Sequence, residues 1–242
     1  MIGGGGMQSG LLEAWEAGVD KRTGRRALVL LAGAEAEAPG DPALLPVGRR
    51  DASLLDLRRR LFGSRYTGVT TCPSCGREIE VSFDEAEVRR EVGQGGTVAL
   101  RAEGVDLAFR LPSAADLAAI EPAPDVPTAR ALMLDRCLIE ARRDGEAIAP
   151  ERLSPVVIDA ITARMAELDP QADVSLEIEC PACSHGWLEP FDIATFLWAE
   201  VAAAARRLLG EVHALASAYG WSERDILRLT PQRRSAYLEM VS

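Results

Sequence analysis

The chain of 242 residues is nearly devoid of lysine: of its 27 basic residues, all but Lys21 are arginine. Histidine is almost as scarce, with only His185 and His213. There is no His-Glu-x-x-His zinc motif, and no nucleophile elbow or Walker phosphate loop occurs either. The longest apolar run, Ala27 to Ala34, falls far short of the roughly 18 residues that cross a bilayer. The opening Met1-Ile2-Gly3-Gly4-Gly5-Gly6 has neither the basic nor the apolar stretch of a secretory signal. These shortages predict a soluble, non-enzymatic, cytoplasmic protein whose thiols stay reduced.

Positive charge is short as well. Asp and Glu number 37, for a net charge of −10. A protein that neutralises phosphates needs the opposite balance, at least locally, so nucleic acid is an unfavourable partner. The clusters Arg49-Arg50, Arg58-Arg59-Arg60, Arg206-Arg207 and Arg233-Arg234 keep a nucleic-acid-binding or regulatory role as the alternative. Solvated helix faces, or pairing with nearby Glu, account for them as well, and the net charge favours that reading.

Hydrophobic residues at 48% and charged residues at 26% describe an ordinary globular chain. The pattern predicts an α+β fold. A glycine-rich flexible arm covers 1–10, and a helical region covers 11–65, with a loop over 39–46 and an amphipathic helix from Ala52 to Phe62. A β element with an inserted segment covers 66–192. Within it, Thr97–Arg101 and Val105–Leu111 alternate around Glu103-Gly104, a hairpin signal. Helices are expected near 113–120, 128–143 and 154–168. Residues 193–242 hold a long helix, Ile193 to Tyr219, ended by Gly220, and two short helices opened by Ser222 and Thr230-Pro231.

The most specific feature is a doubled motif. Residues 72–84 read CPSCGREIEVSFD and residues 180–192 read CPACSHGWLEPFD. Both share Cys-Pro-x-Cys followed by Phe-Asp at the same distance, Phe83-Asp84 and Phe191-Asp192. Each is preceded by an alternating strand, and each Asp is placed to cap a helix. A tight Cys-x-x-Cys turn brings two sulfurs to about 3.5–4 Å. Two such turns offer four soft ligands in a tetrahedron, which suits one structural zinc per chain at Cys72, Cys75, Cys180 and Cys183. The 104 residues from 76 to 179 then form an insertion within a zinc-ribbon-like pair of hairpins. A redox pair is the competing reading, although such a pair normally opens a helix. Two metal-free thiol pairs are another. His185 aligns with Arg77, so the repeat does not require it as a ligand. Cys137 reads as a small core residue beside Leu134, Leu138 and Ile139. Of the large aromatics, Trp15, Trp221 and Tyr237 are candidate partner-binding residues. Trp198 reads as core.

Several stretches together resemble a known family. They are LPVGRRDASLLDLRRRLFG at 45–63, the two cysteine units, FRLPSAADLAAI at 109–120, DPQADVSLEIECPAC at 169–183, FDIATFLWAEV at 191–201 and YGWSERDILRLTPQRRSAYLEMV at 219–241. The pattern is similar to zinc-ribbon-bearing baseplate hub assembly chaperones of contractile phage tails and related contractile injection systems. The resemblance implies a non-enzymatic assembly factor or minor baseplate component. It also implies hub, spike or wedge proteins as partners and incorporation into a tail-like particle.

Overall fold

The computed structural model describes residues 4–33 and 41–241. Met1–Glu37 together with Ala194–Ser242 make one compact unit, and Ala38–Ile193 make the other.

Two helices open the first unit, α1 (Gly4–Gly18) and α2 (Thr23–Gly33), and pack on each other. Arg26 fixes the turn between them. Its guanidinium donates to the carbonyls of Gly18 and Val19 at 3.2 and 3.0 Å and lies 4.7 Å over the ring of Trp198. It thereby satisfies carbonyls that a helix end leaves without an intrahelical partner. Gly18 is a glycine for steric reasons, since a Cβ there would lie 2.5 Å from the Trp198 ring. The arm expected over 1–10 is helical from Gly4 onward; residues 1–3 lie outside the described part. The loop expected over 39–46 falls partly outside it too and, from Pro42 to Leu44, is a 3-10 turn capped by Asp41.

The second unit begins with α3 (Val47–Phe62), which starts five residues before the expected Ala52. Its first residues offer no side-chain cap of their own. The cap comes from 121 residues away: the buried Asp169 carboxylate accepts the Gly48 N–H at 2.9 Å. The same carboxylate accepts the Gly93 N–H at 2.7 Å. A Cβ on either glycine would collide with Asp169.

Strands β1 (Arg65–Thr71) and β2 (Glu78–Asp84) then form an antiparallel hairpin. Asp84 caps the single-turn α4 (Glu85–Val88) in a reciprocal capping box with Glu87. A second hairpin follows, β3 (Thr97–Ala102) and β4 (Val105–Arg110). Its two turn residues, Glu103 and Gly104, both have positive φ, 51° and 74°, as a two-residue turn matched to strand twist requires.

After α5 (Ala114–Ile120) and α6 (Val126–Cys137) come β5 (Leu138–Arg143) and the short β6 (Glu146–Ala147). These four strands make one sheet in the order β3-β4-β5-β6. The helix expected over 128–143 therefore ends at Cys137. Leu138–Arg143 pairs with β4 instead, and the hydrogen bonds of a central sheet position outweigh local helix propensity. Helix α7 (Pro155–Leu168) lays Val157 and Ile161 against Val105, Leu107, Phe109 and Ala141 to form this unit's hydrophobic core. A last hairpin, β7 (Ser175–Glu179) and β8 (Gly186–Pro190), completes it.

Helix α8 (Ile193–Tyr219) belongs, after its first residue, to the first unit, as do α9 (Glu223–Leu227) and α10 (Pro231–Glu239). Gly220 ends α8 at φ 68°, and Ser222 and Thr230 cap the next two helices as their sequence implies. Leu208, Val212 and Leu215 of α8 meet Leu12, Ile226 and Leu227 in a continuous apolar seam. The expected 11–65 region is thus divided, with α1 and α2 grouping with the C-terminal helices and α3 with the hairpins.

Candidate metal centre

The two Cys-Pro-x-Cys turns have the same backbone. Each closes an antiparallel hairpin, β1–β2 at Thr71↔Glu78 and β7–β8 at Glu179↔Gly186. In the first, the Cys72 N–H donates to the Arg77 carbonyl and the Gly76 N–H donates to the Cys72 carbonyl, both at 2.9 Å. In the second, the Cys180 N–H donates to the His185 carbonyl and the Ser184 N–H to the Cys180 carbonyl, again at 2.9 Å. The residue after the second cysteine is left-handed in both, Gly76 at φ 71° and Ser184 at φ 55°. Only the first copy has the glycine this conformation favours. Equivalent turns aim equivalent sulfurs.

The four sulfurs converge. Cys72 Sγ lies 3.7 Å from Cys183 Sγ, and Cys75 Sγ lies 3.7 Å from Cys180 Sγ. All four lie within 4.8 Å of one another. A disulfide would bring a pair to about 2.05 Å, so these are thiols set apart. Sulfurs at about 2.3 Å from a tetrahedral ion are spaced about 3.8 Å from each other, close to the separation of the Cys72–Cys183 and Cys75–Cys180 pairs. Cys72 and Cys180 are buried, whereas Cys75 and Cys183 reach the surface. The chain thus offers a donor set compatible with one metal ion.

The electrostatics favour a cation. Desolvation opposes ionisation of Cys180, but the N–H groups of Ala182 and Cys183 directed at its sulfur outweigh it and bring its pKa down to about 7. At Cys183 the His185 N–H favours the thiolate, yet desolvation and the three neighbouring sulfurs push the thiol up to about 11. Four thiolates this close repel one another unless a positive ion lies between them.

Contacts behind the sulfurs hold the hairpins together. Glu189 accepts Thr70 Oγ1 from the other hairpin and its own strand's Trp187 Nε1, both at 2.9 Å on one oxygen. Phe83 and Phe191, the matched residues of the two motifs, meet edge to face at 5.4 Å, and Tyr66 stacks on Phe83 at 5.0 Å. Arg58 of α3 covers the Tyr66 ring at 3.8 Å. Sequence reasoning missed Glu189. Its signal is an inversion: β8 turns the charged Glu189 inward and leaves the aliphatic Leu188 exposed.

The other singled-out residues fall elsewhere. The His185 side chain is exposed and stacks near Trp187, outside the four-cysteine cluster. His213 is exposed on α8. Cys137 is buried, and desolvation and the Asp116 carboxylate push its thiol up to about 11, which suits a packed, unreactive residue. Trp15, Trp221 and Tyr237 are half-buried against the seam of the first unit, so packing already occupies part of each. Trp221 stacks on Tyr219 at 4.6 Å and meets Tyr237 edge-on at 4.9 Å. Among the described residues, no helix is long and apolar enough to cross a membrane.

A family model described as T4 bacteriophage base plate protein matches residues 30–198. The chain belongs to this family. The matched stretch of this baseplate-family protein contains all four clustered cysteines and the whole unit Ala38–Ile193. No curated protein and no solved structure matches the chain. The resemblance read from the sequence is supported at the level of the baseplate family.

Proposed function

We propose that this protein is a non-enzymatic assembly factor or minor structural component of the baseplate of a contractile, tail-like particle, with one structural zinc ion per chain. The observation that carries this reading is the baseplate-family match over residues 30–198. Its partners are hub, spike or wedge proteins, met in the cytoplasm before incorporation into the particle. Zinc is favoured over other ions by the ligand type, since four sulfurs near tetrahedral spacing select a soft or borderline ion. Four protein ligands close the coordination sphere and leave no open position for a substrate. The zinc-ribbon hairpins then serve as a rigid framework. The nucleic-acid alternative loses ground because residues 38–193, which carry the cysteines, hold 27 acidic against 17 basic side chains.

Co-expression with the neighbouring tail proteins tests the reading. Affinity purification of this chain should retain a hub, spike or wedge protein in fixed stoichiometry. Recovery of the free chain alone from such a co-expression overturns it.

A further inference from the structure

The second unit contains a concavity of about 280 Å³ that none of the cysteines lines. Arg110 of β4, Arg136 of α6 and Asp116 of α5 line it together. The Asp116 side chain is 1% exposed. It accepts Arg110 at 2.5 and 3.0 Å, Arg136 Nε at 2.8 Å, and the Ser113 N–H and hydroxyl at 2.9 and 2.7 Å. Burial opposes ionisation of Asp116, but the bonds from Arg110, Ser113 and Arg136 outweigh it and hold its pKa well below the usual carboxylate range. One carboxylate therefore fixes two guanidiniums and neutralises only one. The pocket keeps a net positive charge within a unit that carries ten more acidic than basic residues.

Arg136 uses Nε on Asp116, and its two terminal nitrogens make no bond among the described residues. Its side chain is 40% exposed, so this edge is reachable. A guanidinium edge with two free donors matches a planar carboxylate. Beside it the wall is apolar, formed by Leu111 and by Leu44, which is 70% exposed. The volume is at the small end of ligand pockets, which begin at about 300 Å³, and suits one or two amino-acid residues better than a cofactor.

We propose that this pocket seats the side-chain carboxylate of an Asp or Glu from a partner protein, against Arg136, with a neighbouring apolar residue of that partner against Leu44. The proposal goes beyond the baseplate reading and needs only a carboxylate-bearing protein segment.

The test is a titration of the full chain, followed by NMR, with the blocked dipeptide acetyl-Leu-Glu-amide, its Gln counterpart and inorganic phosphate as probes. The Glu dipeptide should bind in the millimolar range and shift the Arg136 Nε–H signal. Binding should weaken about tenfold or more for the Gln dipeptide, and equally in Arg136→Gln and Leu44→Glu. Leu44 is a rim residue, so loss of binding in Leu44→Glu does not reflect unfolding. Equal binding of the Glu and Gln dipeptides, tighter binding of phosphate, or no response at Arg136 overturns the proposal. Dipeptide binding would survive failure of the co-purification above, so the two readings fail separately.

Discussion

Residues 38–193 carry 27 acidic and 17 basic side chains, whereas residues 1–37 with 194–242 carry ten of each. The whole net charge of the chain belongs to one unit. The neutral unit is helical among its described residues and closes around a seam of leucine, isoleucine and valine. The acidic unit contains all eight strands found among the described residues and reaches across long sequence distances with polar groups: Asp169 to Gly48 and Gly93, Glu189 to Thr70. Helices satisfy their backbone locally and need little beyond an apolar stripe. Two-stranded hairpins are marginal alone, and those built on β1–β2 and β7–β8 depend on what joins them. The family match covers the whole acidic unit, the part whose architecture relies on specific polar and sulfur contacts.

Loss of the proposed metal should break this comparison most sharply. Chelation, or Cys72→Ser, should speed amide exchange in β1, β2, β7 and β8 by about a hundredfold or more and leave the seam of α8, α9 and α10 unchanged. Uniform loss of protection across both units would show that the two are not independently stabilised. The converse experiment is Trp198→Ala, which leaves a cavity under Arg26 and beside Gly18. It should cost about 3–5 kcal/mol by chemical denaturation, while metal content stays equal to that of the wild type. A lower metal content in this variant than in the wild type would show that the two units are coupled.

A smaller effect sharpens the electrostatic contrast. Burial pushes the Asp51 carboxyl up to about 6, against the pull of Arg50 at 2.6 Å and with a further push from Asp192 and Asp169. Its folded-state pKa thus exceeds the ordinary value of 3.8. The stability it contributes is complete below that value and is lost as pH rises through about 6. Asp51→Asn carries no charge at any pH, so between pH 4 and pH 7 it should gain on the wild type by on the order of 2 kcal/mol. A pH-independent difference in denaturation midpoint would remove Asp51 from the account.

The legible parts of the fold were those written over short distances. Cys-Pro-x-Cys is four residues long, its repeat keeps the same spacing to Phe-Asp, and the structure brings the two copies to one point. The capping residues Asp84, Ser222 and Thr230 act on N–H groups two or three residues away, and all three do what their identity implies. Leu138–Arg143 was misread because Cys137, Leu138 and Ile139 continue an apolar helical pattern, and nothing local reveals that β4 waits to pair with them. The start of α3 was missed because its cap, Asp169, lies 121 residues further along the chain. The acidic hook of Glu189 was equally invisible, since its partner Thr70 is 119 residues away.

The 104 residues between the two cysteine turns have a consequence for biosynthesis. A ribosome adding about 5–20 residues per second delivers the second pair on the order of ten seconds after the first. Throughout that interval Cys72 and Cys75 are half a site, able to hold an ion only loosely and open to exchange. The β3–β6 sheet and α7 emerge during the wait, so they can form before the cysteines meet. Capture of the proposed metal is then a late event that seals a scaffold already in place.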